Sequence, residues 1–169
     1  MSNTGSGNQG ITAIMPVVAA SETFLSSQEE LARALMMSHL ITIHIKGQLG
    51  RLSALCGAVV ASIGSACGIV LLSEGSYEQV CYTIKNMIGN MTGMVCDGAK
   101  IGCALKVASG VSSAVQSVLL AMENVCISEN DGIIDKDIEK TIKNLAKIGS
   151  TGMQETDDLI LQIMVSKLA

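Results

Sequence analysis

The run Ala54-Leu55-Cys56-Gly57-Ala58-Val59-Val60-Ala61-Ser62-Ile63-Gly64-Ser65-Ala66-Cys67-Gly68-Ile69-Val70-Leu71-Leu72 decides the fold. Every position in it is apolar or small, and its length raises the question of a membrane span. Ser62, Ser65, Gly57 and two cysteines make it small rather than greasy. No Trp or Tyr flanks it as an interfacial anchor. Gly64-x-x-x-Gly68 is the small-residue spacing that lets two helices approach closely. A helix that is apolar all round belongs inside a protein, so this run is read as the central helix of a bundle, with no membrane involved.

The rest of the composition agrees. The chain has 169 residues, enough for one domain with a real core. Hydrophobic residues are 49% and charged residues 15%, while aromatics are only 2%. A core without aromatics must be built from Ala, Val, Ile, Leu, Met and Gly, which favours closely packed helices over a β-sandwich. Pro16 is the one proline, so long helices run uninterrupted. The net charge of −4 and the lack of a basic stripe argue against nucleic acid as a partner.

Working outward, Ser26 or Ser27 caps a helix reaching about Ile45, with Leu31, Leu35, Leu40 and Ile41 as its apolar face. Lys46–Arg51 reads as a loop. After the central helix, Tyr77 to about Gly89 carries Val80, Ile84, Met87 and Ile88 on one face. A further helix runs to about Met122 on Val107, Val111, Val115, Val118 and Leu119. Asp135 is placed as the cap of Lys136–Ile148, with Glu139 and Lys143 paired on its outer face. Thr151-x-x-Gln154 is placed as the capping box of the last helix. Nothing alternates with period two and no repeat or linker is visible. The expectation is a single all-α domain over residues 1–169.

Chemistry concentrates in Met91–Lys106, which packs Cys96, Asp97, Lys100, Cys103 and Lys106 among glycines. On one continuous helix, thiols seven positions apart stand about 10.5 Å apart along the axis, too far for one compact centre. Asp97-Gly98 is a natural break. The reading is therefore a helix ending near Val95, a loop carrying Cys96, and a helix starting near Lys100 with Cys103 in its first turn. No C-x-x-C pair occurs, which excludes a zinc ribbon or a thioredoxin motif. Free cysteine is mostly a small buried hydrophobe, and Cys67, Cys81 and Cys126 are assigned to packing. With a third thiol, Cys96 and Cys103 suit an iron–sulphur cluster; buried filler is the other reading. His39 and His44 are five apart, face different ways and form no metal pair. Lys100 and Asp97 orient a bound group or form a solvated ion pair. The polar opening lacks the pattern of a secretion signal, so a cytoplasmic setting with reduced thiols is expected. That opening, Ser2–Gly10, is either a mobile start or a loop leading into a helix N-terminus suited to a carboxylate.

Gly93-Met94-Val95-Cys96-Asp97-Gly98-Ala99-Lys100-x-Gly102-Cys103-Ala104-Leu105-Lys106 resembles the signature of the iron–sulphur L-serine dehydratase alpha-chain superfamily, nearest its L-cysteine desulfidase branch. Gly5-Ser6-Gly7-Asn8-Gln9-Gly10-Ile11, Leu55-Cys56-Gly57, Ser62-Ile63-Gly64-x-x-Cys67-Gly68, Asp131-Gly132-Ile133-Ile134 and Gly152-Met153-x-x-Thr156-Asp157 resemble it in the same order. The resemblance implies a [4Fe–4S] cluster on Cys56, Cys96 and Cys103, with one iron open to substrate. It implies α,β-elimination from L-cysteine or L-serine to pyruvate and ammonia, with sulphide from cysteine. Ser6, Gly7, Asn8 and Gln9 then hold the substrate carboxylate, and Asp97 and Lys100 lie at the catalytic centre. It covers only the family's second half. The expected partner is the other half as a separate subunit, or a further copy in a homo-oligomer; a shortened gene product and an excised piece are the alternatives.

Overall fold

The computed structural model describes residues 2–50 and 53–167, and these form one all-helical domain. Seven α-helices are present among the described residues: α1 Gly7–Thr23, α2 Gln28–Leu49, α3 Gly57–Leu72, α4 Tyr77–Met91, α5 Cys103–Met122, α6 Ile138–Lys147 and α7 Gln154–Ser166. A π-helical turn, Ile148–Gly152, joins the last two.

The small-residue run is the hub. Within α3, Ala58 through Val70 are all buried, and α1, α2, α4 and α5 all pack on it. Its glycines are contact surfaces. A Cβ on Gly64 would stand 2.2 Å from Thr42 Oγ1 and 2.4 Å from the Ser38 carbonyl oxygen. One on Gly68 would stand 2.8 Å from the Ala34 carbonyl oxygen. The backbones of α2 and α3 therefore touch along Ala34, Ser38 and Thr42. The hydroxyls at this crossing are satisfied locally: Ser38 Oγ donates to the Ala13 carbonyl at 2.7 Å and Thr42 Oγ1 to the Ser38 carbonyl at 2.8 Å. From the other side Gly110 of α5 meets Ser62, where a Cβ would lie 2.4 Å from Oγ.

This close packing corrects the reading of two faces. On α2 the buried positions are Ala34, Ser38, Thr42, Ile45, Lys46 and Leu49, while Leu40 is 65% exposed. On α5 the buried positions are Gly110, Ala114, Ser117, Val118 and Ala121; Val115 and Leu119 are exposed. Small residues go inward where backbones touch, and larger side chains are displaced outward. The faces of α4 and α6 follow the expected periodicity, with Val80, Ile84, Met87, Ile88, Ile142 and Leu145 buried.

Several boundaries also move. Helix α2 runs on to Leu49, because Ile45 and Leu49 continue its core face; of the expected Lys46–Arg51 loop, Arg51 lies outside the described residues. Helix α4 ends at Met91, close to the expected Gly89 and short of the expected Val95, and α5 starts at Cys103 rather than near Lys100. Asp137, not Asp135, caps α6, its carboxylate accepting from the Glu139 N–H at 2.9 Å. Glu139 pairs with His44 at 3.0 Å instead of Lys143. The π-turn carries the chain to Met153, which precedes α7 without a side-chain cap. Ser27 caps α2 in a reciprocal box with Glu30, as its sequence signature indicates.

By length and composition α5 is the one described helix able to cross a membrane, and 22% of that stretch is buried. Its inner face packs on α3 and α4.

Candidate active site

Cys56 and Cys96 are brought together by backbone pairing. Leu55 and Val95 form an isolated antiparallel bridge. The Cys56 N–H donates to the Met94 carbonyl at 2.9 Å, and the Cys96 N–H donates to the Ala54 carbonyl at 2.7 Å. This bridge is also why α4 ends where it does: a turn at Thr92-Gly93 frees residues 94–96 for the pairing. Cys56 is buried at the N-cap of α3, among Ala58, Val59, Met91, Met94, Val107 and Cys96. Burial pushes its thiol above the ordinary cysteine range. The N–H groups of Ala58 and Val59 oppose that rise, the Cys96 thiol adds to it, and the Lys106 ammonium lowers it.

Cys103 opens α5, across a loop from the other two. Its Sγ points at the Gly98 carbonyl oxygen, 3.6 Å away. Gly98 has φ +91°, a conformation that excludes most side chains. A Cβ there would also lie 2.8 Å from Met164 Cε, so α7 rests on this loop. Among the described residues no three His, Cys, Asp or Glu side chains are gathered closely enough to hold a single metal ion.

Asp97 is clamped between two lysines. Lys100 Nζ donates to one carboxylate oxygen and Lys106 Nζ to the other. Lys106 Nζ also donates to the Val95 carbonyl at 2.7 Å. The hydrogen bond from Lys100, then that from Lys106, holds the Asp97 carboxyl well below the usual carboxylate range. The same contact with Asp97 raises the Lys106 ammonium. An ionised carboxylate so held orients the loop between Cys96 and Cys103 and is a poor proton acceptor near neutrality.

The opening residues are ordered. Ser6 caps α1, its Oγ accepting from the Gln9 N–H at 3.4 Å. Thr4 Oγ1 donates to Gln9 Oε1 at 2.9 Å. The buried Gln9 amide lies over Gly57, where a Cβ would be 2.6 Å from Nε2. Gln9 is thereby carried next to Cys56. Gly7 is exposed and Asn8 half-buried, with the Asn8 carbonyl accepting from Thr12 Oγ1. Cys67 is fully buried, and burial pushes its thiol up strongly, as suits a packing residue.

Sequence reasoning gave Lys106 no role and missed Lys46. Lys106 sits one turn beyond Cys103 on α5. Its sequence signal was that spacing. Lys46 is buried on α2, close enough to Cys96 and Cys56 for their thiolate charge to act on it. Its signal was the continuation of the Ser38–Thr42–Ile45 face.

A family model described as serine dehydratase alpha chain matches residues 1–162. A "UPF0597 protein" of Oleidesulfovibrio alaskensis is 63% identical over 167 residues, covering 99% of this chain and 39% of that protein. Proteins of the same designation from Phocaeicola vulgatus and Parabacteroides distasonis are 60% and 57% identical with the same coverage. The chain thus spans about two fifths of the length of the curated relatives it matches. No solved structure matches it.

Proposed function

The chain belongs to the serine dehydratase alpha-chain family, and on that footing we propose that it carries the thiol ligands of an iron–sulphur lyase. The reaction is α,β-elimination: the α-proton and the β-hydroxyl of L-serine, or the β-thiol of L-cysteine, are lost. The resulting 2-aminoacrylate takes up water to give pyruvate and ammonia. The observation that carries the proposal is the Leu55–Val95 bridge, which sets Cys56 and Cys96 diagonally on one face of the pairing, within electrostatic range of Lys46 and Lys106.

The donor set fits a [4Fe–4S] cluster in kind. It offers soft thiols for an anionic centre, with lysines at hand to balance the charge. Cys56, Cys96 and Cys103 would hold it. A cluster binds each thiolate through a different iron, so its ligands need not crowd as those of one ion do. With three protein ligands such a cluster supplies an open iron as Lewis acid toward the substrate's carboxylate and β-group. Asp97, held by Lys100 and Lys106, fixes the loop between two of the ligands. Ser6, Gly7, Asn8 and Gln9 face the substrate from the α1 N-terminus, Gln9 being the member that packs over Gly57, the residue after Cys56. A reduced, cytoplasmic compartment suits these thiols.

The elimination also needs residues beyond these 169. Ile101 and Leu105, beside the ligand loop, are 95% and 75% exposed, and α7 buries none of its residues while presenting Leu159, Leu161, Ile163 and Val165. These uncovered apolar side chains support a reading in which the remaining three fifths of the relatives' length, as a separate subunit or a further domain, closes over the site.

Anaerobic reconstitution of this chain with iron and sulphide is expected to give broad visible absorption that Cys56→Ser, Cys96→Ser and Cys103→Ser each abolish and Cys81→Ser leaves intact. Pyruvate should form from L-serine, or pyruvate and sulphide from L-cysteine, only when the complementary portion of a full-length relative is added. Failure to take up iron refutes the cluster; full turnover by the isolated chain refutes the need for a partner.

A further inference from the structure

We infer that Lys46 is the residue that binds the carboxylate of the amino-acid substrate, in a cleft between the Thr4–Gly5 turn and the last turn of α2. The cleft has a volume of about 670 Å³ and is lined by Thr4, Gly5, Ile43, Lys46, Gly47 and Gly50. Lys46 is 7% exposed, and among the described residues it takes part in no ion pair and its Nζ donates no hydrogen bond. Most of the side chain is buried while Nζ itself stays accessible, so the ammonium opens on the cleft, where an anion would offset its partial desolvation. Its position fits an anion entering from the cleft. Gly47, beside it, has no atom within 4 Å of where a Cβ would be, so the approach is open.

The surroundings select the class of anion. Among the described residues the cleft presents one cation and no arginine fork, which suits a monocarboxylate better than a phosphate. The turn opposite leads directly into Ser6 and the positive end of the 17-residue helix α1. Lys46 is also within electrostatic range of Cys96 and Cys56. A carboxylate on Lys46 would lie in the cleft beside the turn that leads into α1, on the side of the molecule that carries those thiols. Burial pulls the Lys46 ammonium below the ordinary lysine range and the thiols act in the opposite sense; a bound carboxylate would add to the latter.

The assignment rests on the lyase reading, and the experiment separates the two. L-Serine and its carboxamide L-serinamide, which lacks the carboxylate, are titrated into the reduced, iron-free 169-residue chain, following amide chemical shifts. L-Serinamide should bind about ten- to a hundredfold more weakly, the worth of one hydrogen bond to a charged group. Lys46→Met should weaken L-serine to the same degree and leave L-serinamide unchanged, while Lys46→Arg retains most of the preference; melting curves verify that both variants fold. Equal binding of the two ligands, no binding of L-serine, or wild-type affinity in Lys46→Met each overturns the assignment. Iron uptake is read separately by visible absorption. A chain that takes up iron but shows no Lys46-dependent binding refutes the Lys46 site alone. A chain that binds L-serine through Lys46 but never takes up iron refutes the cluster alone.

Discussion

Gly64→Ala tests whether backbone contact at the α2–α3 crossing organises the fold. The new Cβ would stand 2.2 Å from Thr42 Oγ1 and 2.4 Å from the Ser38 carbonyl oxygen, where ordinary contact begins at 3.4 Å. Thr42 can rotate, but only by giving up its 2.8 Å hydrogen bond to that carbonyl. The carbonyl belongs to a helix and cannot move alone, so α2 and α3 must part by about 1 Å at a site where Ser38, Thr42 and Gly64 are all buried. Overpacking of this kind costs about 1–3 kcal/mol, and a displaced buried hydroxyl about 1–3 kcal/mol more. Replacing glycine inside a helix returns about 1 kcal/mol. The net is about 3 kcal/mol of destabilisation, or a Tm lower by about 6–12 °C for a domain of this size. Gly47→Ala is the control: it is exposed on α2 with open space around its Cβ position. It should raise Tm by about 1–4 °C through helix propensity alone. Thermal unfolding followed by circular dichroism reads both. A Gly64→Ala variant melting at or above the wild type would refute the close crossing.

Two further outcomes follow from the site. The Asp97 carboxyl is lowered in the folded chain by Lys100 and then Lys106, so its contribution to stability is complete above the unfolded aspartate value of about 3.9 and is lost as pH falls through the lower folded value. The Tm gap between wild type and Asp97→Asn should be flat from about pH 5 to pH 8 and close only in stronger acid; a gap that closes between pH 8 and pH 5 would show that another group is responsible. Gly57→Ala sets a Cβ 2.6 Å from Gln9 Nε2, the far end of a flexible side chain. It should move Tm by less than about 3 °C yet weaken L-serine binding about tenfold by shifting the amide beside Cys56; unchanged binding would detach Gln9 from the substrate site.

What the sequence revealed depended on how each contact is made. Where large side chains fill the space between helices, hydrophobic period and burial agree, as for Val80, Ile84, Met87 and Ile88 on α4. Where glycine brings backbones into contact, the relation inverts. Leu40 and Leu119 are exposed while Ser38, Thr42 and Ser117 are buried. A scan for large apolar residues then selects the wrong face, although Gly64-x-x-x-Gly68 already announced that a partner backbone would lie against α3. The same distinction governs the site. Cys96, Asp97, Lys100 and Cys103 are neighbours in sequence, so their association could be read locally. The link from Cys96 to Cys56 runs through main-chain bonds between residues 54–56 and 94–96, in which side-chain identity plays little part. Only the family resemblance suggested it. Lys46 was hidden for a third reason: a charge after an apolar helix looks like the start of a loop. Its burial depends on Ile45 and Leu49 extending the core face of α2 past it. A lysine placed inside such a face, with no carboxylate among the described residues to meet it, fits an anion that comes from outside.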